Sequence, residues 1–489
     1  MQITPQEFIS ENDLKKGMSL VVKDGLATEI MTALSGGTFL VAVAIFLGAS
    51  NFQIGLLAAL PTFMNIFQLL SIWLVRKYKN RRAISVICSL LARIPLVFVG
   101  ALPLLFPSLA NIQLFLFFLS FYYFFASVSG PSWNSWMKDL IPENKLGAFF
   151  ARRTMISQTV NVVLSILLAV LIDYIKKYLP AKEQEVYSYM FMMAGFIGII
   201  GTFFLYQTPE PQSHLSKENL LRLLRQPLKN KNFRNLLIFN SAWVFAINIA
   251  TPFFTVYMLK TIGLPVSYVV ALTIITQVSS ILTVRLWGRF SDRYSNKTII
   301  AIGAPLYILC IIAWCFAGLF NTISSNIILI AVINLATGIA TSGINLSLIN
   351  IGLKLAPKED TIVYLSTKNI ITAFFSSMAP LLGGYLADFF GNRHIDINAQ
   401  YEGPRLVKHF HLLSLHQWNF LFVIGAFLAF IAIQFLGKVK EEGEVEKDVV
   451  VRILRSSIKN SMKDYFILGT LIEWKDQVST RISRIFNQP

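Results

Sequence analysis

Apolar residues run along this chain in long uninterrupted stretches, separated by short charged clusters. The first uncharged run, Ile30 to Val75, is 46 residues long, enough for two membrane-crossing helices with a turn at "GASN" (Gly48 to Asn51). A third span runs from about Ile84 to Phe106 and contains Arg93; Ser108 to Met137, Thr154 to Ile172 and Tyr187 to Tyr206 follow. After a polar segment, Gln207 to Arg234, come Asn235 to Leu259, Thr261 to Val284, Thr298 to Phe320, Ile327 to Leu353, Asn369 to Ala387 and Gln417 to Gly437. About 20 apolar residues at 1.5 Å per residue cross roughly 30 Å of hydrocarbon. The pattern therefore predicts twelve spans, six on each side of residues 207–234. Lipid cannot satisfy backbone N–H and C=O groups, so the spans must be helices. Period-two alternation is absent from them, which excludes a β-barrel.

The expected organisation is an N-terminal polar segment (1–24), a six-helix bundle (25–206), a linker (207–234), a second six-helix bundle (235–437) and a tail (438–489). "SHLSKENLLRLLRQPLK" in the linker reads as an amphipathic surface helix. The tail repeats apolar residues at three or four with basic residues between them, the pattern of an interfacial helix. No cleavable leader with a small-residue exit site is visible at the start.

Composition agrees with the pattern. The chain is 55 % hydrophobic and 14 % charged, with mean hydropathy +0.59. Soluble proteins carry about 25 % charged residues. Lys and Arg number 43 against 26 Asp and Glu, a net charge of +17. The basic residues sit mainly in alternate short loops, so the excess reflects membrane orientation and not nucleic-acid binding. Arg76, Lys77, Lys79, Arg81 and Arg82 follow the second span, and the loops near Ser50, Pro107 and Asn321 hold no Lys or Arg. This places both termini in the cytoplasm, with the plasma membrane as the expected location. The three cysteines lie inside apolar runs, without metal or disulfide spacing. HExxH and P-loop patterns are absent, and neither an enzyme activity nor a cofactor is expected.

The decapeptide "GRFSDRYSNK", Gly288 to Lys297, separates the eighth and ninth spans. Shifted back 216 residues stands "IWLVRKYKNR" after the second span, with Tyr78 on Tyr294, Asn80 on Asn296 and Arg81 on Lys297. At an offset of 215, Pro142 meets Pro357, Arg153 meets Lys368 and Asp173 meets Asp388. The two halves are thus parallel repeats, a transporter architecture.

Twelve spans, a 6+6 repeat and a G-x-x-x-D-R-x-x-x-K loop resemble the major facilitator superfamily, over residues 20 to 437. The resemblance implies alternating access, with a central cavity lined mainly by the first, fourth, seventh and tenth helices. It implies that Gly288 permits close helix approach, and that Asp292, Arg293 and Lys297 belong to a gate on the basic-loop side. The N-half copy departs from the motif, with Ile72 and Arg76 at the Gly and Asp positions. The G-x-x-x-G-P-x-x-G-G mark of many drug antiporters is missing from the fifth span, which reads "SILLAVLIDY".

Candidate site residues follow from polarity inside the spans. Arg93 lies about 15 Å deep, where an unpaired charge costs at least ~2.5 kcal/mol. It can meet an anionic ligand, or tie the third span to a neighbour's carbonyls. Glu29, near the start of the first span, is a candidate proton carrier or an interfacial acid. In "GPSWNSWMKDLIP", Trp133 and Trp136 suit a cavity wall or an interfacial belt, and Asn134 suits binding of substrate hydroxyls. Asn240 and Asn248 on the seventh span, and Thr341 and Asn345 on the tenth, suit hydrogen-bonding solutes such as a polyol, nucleoside or peptide, or else interhelical bonds. Asp173 and Asp388 suit paired gates or helix caps. His409, His411 and His416 form a loop cluster with metal or pH roles open to it.

The function these residues predict is secondary transport of a small organic solute by a monomer in the lipid bilayer, with the proton as candidate coupling ion. Two other readings stand beside it: a non-transporting assembly or scaffold protein of the same fold, and a lysolipid flippase, for which the Phe-rich "FLFFLSFYYFF" speaks.

Overall fold

A computed structural model describes residues 5–6, 10–212, 226–318, 322–357, 361–403 and 406–441. The expected tail helix and most of the linker helix lie outside them; Gln226–Lys229 is a short helical turn.

Among the described residues, twelve helices are long and apolar enough to cross a membrane. They are α1 (Glu11–Phe46), α2 (Asn51–Tyr78), α3 (Arg81–Leu105), α4 (Ile112–Leu140), α5 (Lys145–Tyr178) and α6 (Pro180–Tyr206) in the first half. The second half holds α7 (Lys231–Thr261), α8 (Val266–Ser291), α9 (Asn296–Phe316), α10 (Ile323–Leu355), α11 (Val363–Phe389) and α12 (Gln417–Leu436). Half of them exceed their uncharged cores by a turn or more, because charged side chains continue a helix once it leaves the hydrocarbon. α1 begins at Glu11, nineteen positions ahead of Ile30. Turns occur where the residues supply them. Gly48 takes φ +75° between α1 and α2, and Ser50 and Gln53 close a reciprocal capping box at the start of α2.

The all-α expectation holds for the membrane region. Between α11 and α12 the chain adds one antiparallel hairpin, β1 (His394–Gly403) and β2 (Leu406–His416), with a register shift at Ile397/Asn398. "HIDINAQY" alternates apolar and polar residues, and this loop lies beyond the spans, where strands can be hydrated. His416 pairs with His394 across it, with rings 6.0 Å apart; the side chains of His409 and His411 lie outside the described residues.

The start of α1 and the end of α12 lie on one face, as an even number of spans requires. A carboxylate ties off each bundle there. Glu210, after α6, accepts the N–H groups of Arg81 (2.7 Å) and Arg82 (3.2 Å) at the start of α3. Arg81 is fully buried and also pairs with Asp139 at the end of α4. Glu441, after α12, accepts from Lys297 N–H (2.8 Å) and Asn296 Nδ2 (2.7 Å) at the start of α9, and pairs with Lys354 of α10 at 3.0 Å. The repeat thus preserves a helix-capping acid at the end of each bundle.

The bundles pack on each other through α2 against α11 and α5 against α8, chiefly at the face remote from the termini. Gly55 of α2 and Gly384 of α11 make that contact close. A Cβ on Gly55 would stand 2.2 Å from the Pro380 carbonyl oxygen, and one on Gly384 2.5 Å from that of Asn51. This is the inward-tapering arrangement in which a central cavity is closed at the far face.

Candidate functional site

The far-face seal is made of backbone as well as side chains. Asp388, at the end of α11, accepts the N–H groups of Asn51 (3.3 Å) and Phe52 (3.0 Å) at the start of α2. Asp173, at the end of α5, accepts those of Val266 and Ser267 at the start of α8, both at 2.8 Å. Each carboxylate caps a helix of the opposite bundle. The two positions that match across the repeat therefore form two pseudosymmetric latches, and each places a negative charge at a positive helix terminus.

Beneath this seal lies a cavity of about 320 Å³ between the bundles. Its walls come from α1, α5, α7 and α8, including Thr38, Asn161, Ser165, Thr255, Thr273 and Gln277. Half of the lining residues carry a hydroxyl or amide group, and no Lys, Arg, Asp or Glu is among them. Glu29 borders the site. Its carboxylate accepts from Asn161 Nδ2 at 3.0 Å, and Asn161 Oδ1 accepts in turn from the Ser165 hydroxyl at 3.4 Å. α1 is interrupted here. Its two pieces, Glu11–Ser35 and Gly37–Phe46, meet at Gly36.

A second cavity, of about 260 Å³, lies within the first bundle. Arg93, Trp133 and Asn134 line it together with Asp24, Tyr122 and Arg153. Arg93 is nearly fully buried and fully engaged. It pairs with Asp24 at 3.2 Å and donates to the Thr28 hydroxyl at 3.0 Å and, on α6, to the Gly198 carbonyl and the Thr202 hydroxyl. Gly198 and Gly201 leave the room for its side chain. Arg153 lies over the Trp133 ring at 5.1 Å and reaches the Val21 carbonyl at 3.4 Å, across the space left by Gly25. Trp136 stands apart from both cavities. It is fully buried and donates from Nε1 to the Pro209 carbonyl at 2.9 Å.

The remaining candidates are placed elsewhere. Asn240 bonds Thr372 (2.7 Å) and Asn248 bonds Ser376 (3.2 Å), so both tie α7 to α11. Thr341 donates back to the Thr337 carbonyl at 2.8 Å, and Asn345 is exposed on α10. Neither α4 nor α10 contributes to the inter-bundle cavity, in contrast to the helix set implied by the family resemblance. At the gate motif, a Cβ on Gly288 would meet only Leu346, at an ordinary 3.7 Å, so no close approach depends on that glycine in this conformation. Arg293 is exposed, with its guanidinium over Tyr294 at 5.5 Å. Lys297 serves through its backbone N–H on Glu441. The side chain of Asp292 lies outside the described residues.

Sequence reading passed over Asp24, Asn161, Thr255 and Gln277. Asp24 falls at the end of the polar N-terminal segment, and its partner is 69 positions away. The other three are ordinary polar residues in apolar runs, and only the packing shows that they share a cavity. The Gly36–Gly37 pair was the available signal for the broken helix.

A model of the Major Facilitator Superfamily matches residues 26–360. The chain belongs to this superfamily of membrane transporters. No curated protein matches it. Among solved structures, the nucleoside transporter NupG superposes with TM-score 0.62 at 12 % identity, over 88 % of this chain and 100 % of that one. The xylose transporter XylE from E. coli gives 0.59 at 14 %, over 89 % and 99 %. A bacterial homologue of the human lysosomal transporter Spinster, inward-facing and unoccupied, gives 0.57 at 17 %, over 78 % and 84 %. At these identities the likeness is one of fold. The chain is thus a multi-pass membrane protein of this superfamily.

Proposed function

We propose that this protein is a secondary active transporter that moves a small, hydrogen-bonding organic solute by alternating access, as a monomer in the plasma membrane with both termini cytoplasmic. The observation that carries the reading is the inter-bundle cavity of about 320 Å³, walled by hydroxyl and amide side chains from both halves. A scaffold protein has no use for a polar cavity between its two bundles, since buried polar groups without partners cost free energy. In the described conformation the Asp173 and Asp388 latches close the far face. Transport requires them to break while the bundles close on the terminus side, where the basic loops lie.

Glu29 is the candidate proton carrier. It reaches the lining through Asn161 and Ser165. Glu29→Gln should abolish uptake driven by a proton gradient yet leave solute exchange in place. Loss of both, or of neither, would count against proton coupling through this residue.

The test of the reading is a thermal-shift screen of the detergent-solubilised protein against sugars, nucleosides, amino acids, peptides and lysolipids, followed by proteoliposome uptake of each hit. A ligand at 100 times its Kd adds about 2.7 kcal/mol to the native state. A hit that is also taken up supports transport. No binding and no uptake across the panel would sink the proposal in favour of a scaffold role.

A further inference from the structure

We infer that the break in α1 is a carboxylate subsite, so that the solute carried is an organic acid or zwitterion bearing one carboxylate; this rests on the inter-bundle cavity being the transport site.

The break sits at mid-membrane depth. Gly36 is ten residues before Phe46, about 15 Å at 1.5 Å per residue, half of a ~30 Å hydrocarbon core. Non-helical backbone is tolerated at that depth only where it is buried in protein or lines a wet cavity. Here Gly36, Gly37 and Thr38 line the cavity directly. The ten-residue outer piece of α1 starts with the N–H groups of Gly37, Thr38 and Phe39, and a helix leaves its first N–H groups without intrahelical acceptors. The cap residue, Gly36, has no side chain to supply one. Gly37 takes φ +55°, and the space where a Cβ would sit is open.

A second feature points to the same place. Thr38 is nine-tenths buried and lines the cavity, yet its hydroxyl has no hydrogen-bond partner among the described residues. A hydroxyl on the cavity wall with no partner among the described residues, next to three N–H groups without intrahelical acceptors, is a set of donors open to an oxygen.

Charge narrows the class of ligand. A helix N-terminus acts as roughly half a positive charge. No Lys, Arg, His, Asp or Glu lines this cavity, and Glu29 is eight residues before Gly37 on α1, about 12 Å along the axis. That suits a monoanion whose charge is shared by N–H donors and a hydroxyl. A doubly charged phosphate would want a cation in the wall. Broken helices receive substrate carboxylates in this way in other transporter folds.

The experiment uses the full-length protein in detergent and a panel of small hydroxy- and amino-monocarboxylates, each paired with its primary amide. Carboxylates should bind, and each amide should bind at least tenfold more weakly. Thr38→Val should weaken carboxylate binding about tenfold while keeping the melting temperature of the unliganded protein, and Thr38→Ser should restore it. Equal binding of acid and amide, or carboxylate binding untouched by Thr38→Val, would overturn the subsite. Binding and uptake of neutral solutes alone would overturn it too, but would leave the transport reading standing. No binding or uptake of any solute would remove both.

Discussion

Asp388 of α11 accepts the backbone N–H of Phe52 on α2 at 3.0 Å, although 336 residues separate them. Asp173 of α5 accepts that of Ser267 on α8 at 2.8 Å. Both bonds cross between the bundles, so both must break when the far face opens. A carboxylate at a helix N-terminus contributes about 0.3–1 kcal/mol, and up to ~2 kcal/mol when partly buried. Asp388→Ala and Asp173→Ala should each shift the protein toward the far-open state, and the double variant should shift it further. Spin-label distances between the start of α2 and the end of α11 report the change. An unaltered distance distribution in the double variant would refute the latch.

Close backbone approach at the same seal gives a steric prediction. A Cβ at Gly384 would fall 2.5 Å from the Asn51 carbonyl oxygen and 2.8 Å from the Phe52 Cα. The obstacle is backbone, so it cannot rotate away. Gly384→Leu should hold the far face open and stop transport while the protein still folds and inserts. Spin-label distances across this seal that match the wild type would contradict the argument.

Arg93 and Asp24 are a structural pair before they are anything else. Their side chains are 7 % and 5 % exposed, so little solvent is left to either charge. Removing one partner of such a pair costs about 3–5 kcal/mol. Arg93→Gln should lower the thermal midpoint sharply, and the double change Arg93→Met with Asp24→Leu should recover much of the loss. A fully stable Arg93→Gln would show that the charge at Asp24 finds another partner.

Glu441 gives a pH dependence outside the membrane. Burial pushes its carboxyl up, but hydrogen bonds from the Lys297 N–H, Asn296 and Lys354 outweigh this and hold it below the ordinary value of 4.5. A carboxyl with a lowered folded-state pKa contributes stability above its unfolded pKa and loses it as pH falls through the folded one. The contribution should therefore be present at neutral pH and disappear below about pH 4.5. Glu441→Gln should be less stable than the wild type at pH 7, and the gap should close in acid. A gap that is constant across this range would exclude the ionised carboxyl as its source.

Hydropathy alone was sufficient for twelve helical spans and the 6+6 division, because lipid leaves the backbone no alternative to satisfying itself within each span. The turn at Gly48 and the repeat linking Asp173 to Asp388 were equally legible, being local or periodic. The β1–β2 hairpin was less so, since period-two alternation over so few residues competes with a strong helical context. What each polar residue does came only from packing. Arg93 is engaged by Asp24 and by a carbonyl of α6, and nothing in either segment announces the other. Asn240 and Asn248 were chosen for polarity and prove to bond α11, while Asn161, equally polar, lies at the cavity. The sequence marks which residues are polar inside a membrane. Only the tertiary structure decides whether their hydrogen bonds are made to a neighbouring helix or left for a solute, because that depends on which helices stand side by side.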